Sequence, residues 1–237
     1  MFMGVNIGLM VLSGTPKRGY HHGDLRNALI QAAASLASES GPGSVTVRAA
    51  ARVVGVTPTA AYRHFAGHEE LMIATRDYAF DQLGAAMVAR LSLVPDLADP
   101  RARALARLGA FGRGYLDFAL EQPGLFRTSC AGGVEPLPKL GDLEPDSGFG
   151  MLVRGMDELV EVGLLAPERR PFAEFVAWST VHGFALLVLN GQLHELDEDT
   201  RDAAFARVLE VVGEGLGSTG LSDELRAALV DIARRKP

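Results

Sequence analysis

Residues 46–71 read TVRAAARVVGVTPTAAYRHFAGHEEL, and this stretch decides the fold. Thr46 supplies a side-chain oxygen to cap a first helix whose apolar faces are read as Ala49, Ala50, Val53 and Val54. Gly55 can take the left-handed conformation that closes that helix. Thr57 then caps a second helix, and Pro58 falls in its first turn, where a missing N–H costs nothing. A third, longer helix starts just after Gly67. Two short helices around a tight turn make a helix-turn-helix, so double-stranded DNA is the first partner to consider.

The preceding run, Tyr20 to Gly41, reads as an amphipathic helix with Asp24 as its cap. Leu25, Leu29, Ala32 and Leu36 recur at helical spacing and share one face. Gly41-Pro42-Gly43 stops it. Any small bundle would show such caps. Here the Thr-Pro opening, the Tyr62–Phe65 pair and a basic arm at Lys17 and Arg18 occur together, which favours the DNA-binding reading.

The segment from about Lys17 to Leu71 resembles the DNA-binding domain of the TetR family of bacterial transcriptional regulators. The resemblance is carried by Tyr62-Arg63-His64-Phe65 at the end of the recognition helix and by His68-Glu69-Glu70-Leu71 after it. The family usually places a lysine where this chain has His68; that residue resembles a phosphate contact at the start of the fourth helix. An imidazole is a weaker and pH-sensitive substitute for an ammonium. Two further elements resemble the C-terminal domain of one branch of the family: Gln122-Pro123-Gly124-Leu125-Phe126-Arg127, and Trp178-Ser179-Thr180-Val181-His182-Gly183 with its Trp-x-x-x-His-Gly spacing. Trp178 and His182, four apart, stack on one helix face. His182 either contacts a ligand or is satisfied by a neighbouring polar group, with Gly183 allowing close helix approach.

The whole chain carries a formal charge of −6, which is unfavourable for a nucleic-acid binder. Its distribution is not. Between Thr15 and His68 stand six basic residues (Lys17, Arg18, Arg26, Arg48, Arg52, Arg63) against Asp24 and Glu39, a balance of +4 that leaves −10 elsewhere. Positive potential is thereby concentrated where phosphates would dock. Within this segment Thr57, Thr59 and the helix-start N–H groups suit phosphate contact. With Ala61 and Phe65 facing inward, Thr59, Ala60 and Arg63 face outward, flanked by Tyr62 and His64. Arg48 can reach a base or a phosphate, and Lys17, Arg18 and His68 add phosphate charge.

The remaining chain reads as helical: Glu69 to about Leu93, Arg101 to Glu121, a short helix at Leu125 to Cys130, then Gly148–Val162, Phe172–Leu193, Glu198–Leu216 and Ser222–Arg235. A Gly- and Pro-rich loop spans 131–147, and strand signals are absent, so the fold class is all-α. The division expected is an extension over 1–16, a helix-turn-helix domain over 17–67 and an effector-binding and dimerisation domain over 68–237. Residues 1–14 are apolar but too short to span a bilayer and lack a basic n-region. They are read as a disordered extension, upstream of a natural start at Met3 or Met10. Cys130 is the single cysteine, which excludes an intramolecular disulfide and fits a reducing, cytoplasmic setting; an ordinary packed residue is expected there.

Aromatic residues concentrate in the second region, where Phe111, Tyr115, Phe118, Phe126, Met151, Phe175, Trp178 and His182 are pocket candidates among small residues such as Gly109, Gly112 and Gly114. The same pattern describes a plain core. The family resemblance implies a small-molecule effector bound here. Leu186, Leu187, Leu189 and Leu193, with Phe205, Val208, Leu209, Val212 and Leu216, are read as an intersubunit four-helix bundle, since a homodimer reads two half-sites. The expectation is a repressor released from a palindromic operator by a small apolar effector. The alternative is a helix-turn-helix protein controlled by a protein partner, or constitutive. An enzyme finds no support: there is no nucleophile–base pair or Gly-rich phosphate loop. His64 and His68 lack a third ligand, with Gly67 breaking the helix between them, so neither a metal nor a cofactor is expected.

Overall fold

A computed structural model describes residues 22–130 and 147–217. The expected extension over 1–16, the arm at Lys17 and Arg18, most of the loop over 131–147 and the final helix over 222–235 lie outside the described residues. The described chain is nine α-helices and no strand: α1 (His22–Ser40), α2 (Val47–Val54), α3 (Pro58–Tyr62), α4 (His68–Leu91), α5 (Pro100–Glu121), α6 (Pro123–Cys130), α7 (Gly148–Glu161), α8 (Ala173–Leu189) and α9 (Glu198–Gly217). Short 3-10 turns stand at Pro42–Ser44 and Pro167–Arg169. The fold is all-α, with a helix-turn-helix head and a larger helical body.

Side-chain caps set the head. Thr46 Oγ1 accepts from the Ala49 amide at 3.0 Å, and Thr57 Oγ1 accepts from the Ala60 amide at 3.2 Å. Gly55 adopts φ 79°, and the amides of Val56 and Gly55 return to the carbonyls of Ala51 and Arg52. That double closure is a Schellman motif, available here because residue 55 has no Cβ. After Tyr62 the amides of Arg63, His64 and Phe65 bond back to Ala60 and Ala61, so a tightened turn carries α3 on to Phe65. Leu29, Ala37, Val45, Ala50, Ala61, Phe65 and Leu71 are fully buried and form the head's core.

Four expectations are corrected. Asp24 lies inside α1 rather than at its cap. The face that α2 buries is Val47, Ala50 and Ala51, while Val53 is 55% exposed. Its start at Val47 puts residues three and four apart beneath, and Val53 turns away. Helix α8 starts one residue late, because Phe172 is left-handed at φ 67°, and it stops at Leu189. Asn190 closes it and Gly191 (φ 105°) turns the chain, so Leu193 falls beyond the helix and bonds back to the Leu187 carbonyl. Cys130 ends α6 exposed rather than packed.

One apolar cluster runs without interruption from the head into the body through Leu71, Leu83 and Met87 of α4 and Leu125 and Phe126 of α6. A second, smaller cluster joins α7, α8 and α9 around Met156, Leu159, Ala177 and Val212. Two helix contacts close over glycines. A Cβ on Gly114 would lie 2.6 Å from Met87 Cα, and one on Gly124 would lie 2.0 Å from the Ala37 carbonyl oxygen. Gly183, expected to permit such an approach, has nothing within 4 Å of its Cβ position. The residues read as an intersubunit bundle also divide. Phe205, Val212 and Leu216 are buried within the protomer, whereas Leu187 is exposed, together with Phe172, Val176 and Val211.

Candidate nucleic-acid interface and ligand cavity

Ala61 and Phe65 hold α3 from beneath, both fully buried, which leaves Thr59, Tyr62 and Arg63 on an exposed stripe three and four residues apart. Thr57 and Arg48 are exposed beside it, and Ala60 and His64 are half-buried. Thr57 Oγ1 already accepts the cap bond, but its hydroxyl proton remains available to an acceptor such as a phosphate oxygen. Arg48, Arg52 and Arg63 make no ion pair among the described residues, so docking on a polyanion breaks no existing ion pair. Arg26 is held differently, with its guanidinium 5.0 Å from the centroid of the Phe65 ring. His68 opens α4, exposed, while Glu70 Oε2 accepts from the Ala66 amide at 2.7 Å and fixes the turn before it.

Behind the head, α4, α5, α7, α8 and α9 border a cavity of about 1180 Å³, with Phe80, Val88 and Leu105 of its wall partly exposed. Such a volume accommodates a drug-sized ligand. Phe111, Tyr115 and Trp178 line it, as do Gly109 and Gly112. The other pocket candidates lie elsewhere. Phe118, Phe126 and Met151 are buried in the main core, Phe175 stands between the rings of Phe149 and Phe172, and His182 lies behind Tyr115. Gly114 serves the α4–α5 contact instead.

Sequence reasoning missed two walls. One is α4, through Phe80, Leu83, Met87 and Val88; the other is α9, from Leu209 to Glu214. The available signal was Phe80 and Val88 flanking Gly84 at steps of four, a notch between two large apolar residues on one face.

Tyr115 Oη and His182 Nδ1 are 2.7 Å apart. Burial lowers the His182 pKa, and burial raises that of the Tyr115 phenol far above its usual value. Both therefore stay neutral, and a single proton joins them, carried by Tyr115 Oη or by Nδ1 according to the imidazole tautomer. Phe126 meets the Tyr115 ring edge-on at 5.5 Å, and Trp178 lies 5.9 Å from the His182 ring, so the pair is held from two sides. A charged relay crosses the same region. Asp117 of α5 pairs with Arg90 in the last turn of α4 and with Arg113 at 2.7 Å; Arg113 also reaches Asp202 of α9 at 2.9 Å.

Among the described residues no group of three or more His, Cys, Asp or Glu side chains is placed to hold a metal, and no helix is long and apolar enough to cross a membrane. A comparison with curated proteins finds no match. Among solved structures, the fold is similar to a protein of unknown function from Rhodococcus sp. RHA1 (TM-score 0.67, 25% identity, covering 85% of this chain and 100% of that one). It is also similar to a TetR family transcription regulator from Marinobacter aquaeolei VT8 (TM-score 0.56, 21% identity, 79% and 95% covered). A TetR variant from Acinetobacter baumannii AYE in complex with minocycline is similar as well (TM-score 0.56, 23% identity, 84% and 97% covered). Residues 29–75 match the family model described as bacterial regulatory proteins, tetR family, and residues 108–212 match that of the tetracyclin repressor-like C-terminal domain. With the first model over its head and the second over much of the cavity-bearing body, together more than half of its length, the chain belongs to the TetR family of DNA-binding transcription regulators.

Proposed function

We propose that this regulator is a repressor, released from a palindromic operator when a small apolar effector enters the cavity. The observation that carries the reading is the double role of α4. Leu71, in its first turn, is fully buried in the head's core, while Phe80 to Ala89 of the same helix form a wall of the cavity. A ligand that fits one wall spacing better than another must therefore bias the position of the head. In this reading residues 17–67 form the DNA-binding domain and 68–237 the effector and dimerisation domain, working in the cytoplasm. Arg48, Thr57, Thr59, Ala60, Tyr62, Arg63, His64 and His68, with Lys17 and Arg18 ahead of them, supply the DNA contacts.

A homodimer places two heads on half-sites about 34–36 Å apart, and it is the exposed stripe of Phe172 just before α8, Val176 and Leu187 of α8, and Val211 of α9 that supports it. Val176→Glu is expected to convert the dimer to monomer in sedimentation at micromolar concentration and to weaken operator binding. The central test is a titration of labelled DNA from the region upstream of the protein's own gene, followed by fluorescence anisotropy. Specific binding that falls steeply with salt is expected. Binding no tighter than to unrelated DNA of the same length would refute the operator reading.

A further inference from the structure

The charge of the cavity wall is one-sided. No described lining residue is Lys, Arg or His, whereas Asp81, Glu210 and Glu214 are all part of it. Their position follows from two contacts. The Cβ position of Gly112 meets Leu209 at 2.8 Å, and that of Gly213 meets Leu105 at 3.8 Å, so α9 runs antiparallel to α5 along the cavity. Glu214 thus sits at the Leu105 end, while Tyr115 lies three residues beyond Gly112 at the other. Ten residues of α5 separate Leu105 from Tyr115, about 15 Å along the helix. Between the ends the wall is apolar and aromatic, with Phe80, Phe111, Phe149 and Trp178.

We propose that this cavity takes an elongated amphiphile with an apolar body and a cationic end, and that it discriminates against the corresponding anion. The proposal rests on reading the cavity as the effector site. Asp81, Glu210 and Glu214 are exposed at the rim, so an end group held there keeps part of its water and meets three carboxylates and no positive lining residue. An anion is repelled there, whereas a cation is attracted by the carboxylates and by the negative faces of the aromatic rings along the wall. Arg207 does not reverse the sign: it stands outside the lining, holds Glu210 at 2.6 Å and also attracts Glu214, which leaves the α9 rim with one net negative charge. Asp81 adds a second from α4. It also borders a small cleft of about 340 Å³ that includes Arg26 and Asp77, and no ion pair joins Asp81 to Arg26.

Trp178 is the chain's single tryptophan and lines the cavity, so its emission reports occupancy directly. The test titrates the DNA-free full chain with decyltrimethylammonium, decanoate and 1-decanol, each below its micelle concentration. The expected result is that the ammonium binds about tenfold or more tightly than decanoate, and more tightly than decanol. In an Asp81→Asn, Glu214→Gln double variant that preference should collapse to within about threefold, with decanol affinity unchanged. Equal affinities, tighter decanoate, or a preference untouched by the double variant would overturn the proposal. Decanol binding as tightly as the ammonium would overturn it while leaving the effector-site reading standing. If none of the three changes Trp178 emission, both fall together.

Discussion

Replacing Gly124 with alanine tests how the head is seated on the body. Gly124 is the second residue of α6 and lies against the last turn of α1. A Cβ there would meet the carbonyl oxygens of Ala37 at 2.0 Å and Ser38 at 2.7 Å, and Ser38 Cα at 2.9 Å. All three are backbone atoms, and real Cβ contacts essentially never fall under 3.0 Å, so the two helices must part by at least about 1 Å. The adjoining Leu125 and Phe126 are 5% and 0% exposed in the core that head and body share, so α6 cannot tilt away without opening that core. The cost falls at the upper end of overpacking, about 3 kcal/mol. For a chain of this size that lowers Tm by about 6–12 °C. Helix propensity alone acts in the opposite direction, favouring alanine by about 0.5–1 kcal/mol. Gly109→Ala provides the contrast, since nothing lies within 4 Å of its Cβ position; its Tm should hold or rise slightly. Circular-dichroism melts at one fixed protein concentration decide the matter, because the proposed subunit association would make Tm concentration-dependent. A Gly124→Ala melt at or above that of the parent would refute the reasoning.

The remaining predictions address the head, a buried charge and pH. Arg48→Ala and Tyr62→Ala should each weaken operator binding by about 1–3 kcal/mol with Tm unchanged, and loss of Arg48 from a phosphate contact should flatten the salt slope by about one; unchanged anisotropy titrations would count against them. Arg170→Ala should destabilise the protein by about 3–5 kcal/mol in urea denaturation, because Glu174 is 1% exposed and accepts from Arg170 Nη1 at 2.6 Å; a loss below about 1 kcal/mol would show that the carboxylate finds another partner. His182 contributes a pH dependence of known sign. Burial sets its folded-state pKa below the unfolded value, so the unfolded chain binds the extra proton and stability is lost as pH falls through the ordinary histidine range. The Tm advantage of the parent over His182→Asn should therefore shrink between pH 7.5 and 5.5, and a constant difference would contradict it.

What the sequence revealed about the head was local, and local signals suffice there. Thr46, Gly55, Thr57 and Pro58 each act within four residues of themselves, so caps and turn can be read without knowing any neighbour. The face of α2 was less legible: Arg48 and Arg52, four apart, mark its exposed side, but Val53 on the side away from them is exposed as well, which only the neighbouring helices decide. The cavity was least legible. Aromatic composition pointed to the right helices, yet Phe118 and Phe126 fill core while Phe111 and Tyr115 border space. A cavity is set by where side chains from five helices fail to meet, and no single segment encodes that spacing. Tyr115 and His182 illustrate the same limit, since 67 positions separate a pair bonded at 2.7 Å.

The placement of these contacts also bears on how a ligand signal would travel. α4 is held near its C-terminal end, where Met87 lies against Gly114 and Arg90 pairs with Asp117, and Asp117 is tied through Arg113 to Asp202 of α9. Taking Arg90 as a pivot, Phe80 lies ten residues away and His68 twenty-two, about 15 Å and 33 Å along a rigid helix. A ligand that displaced Phe80 by about 1 Å would then move His68 by roughly 2 Å, in opposite senses on the two halves of a symmetric dimer. That is a useful fraction of the tolerance with which paired recognition helices must match successive major grooves. The seat of α6 on α1 determines whether the motion arrives intact. In the proposed mechanism Gly124 keeps those helices in contact, so that α1 and α4 would move with α6 and the head would follow the wall of the cavity. With that contact forced open, the head would settle on DNA whatever the cavity holds. Gly124→Ala should for this reason separate operator binding from the effector's influence on it, even at temperatures where the variant is fully folded.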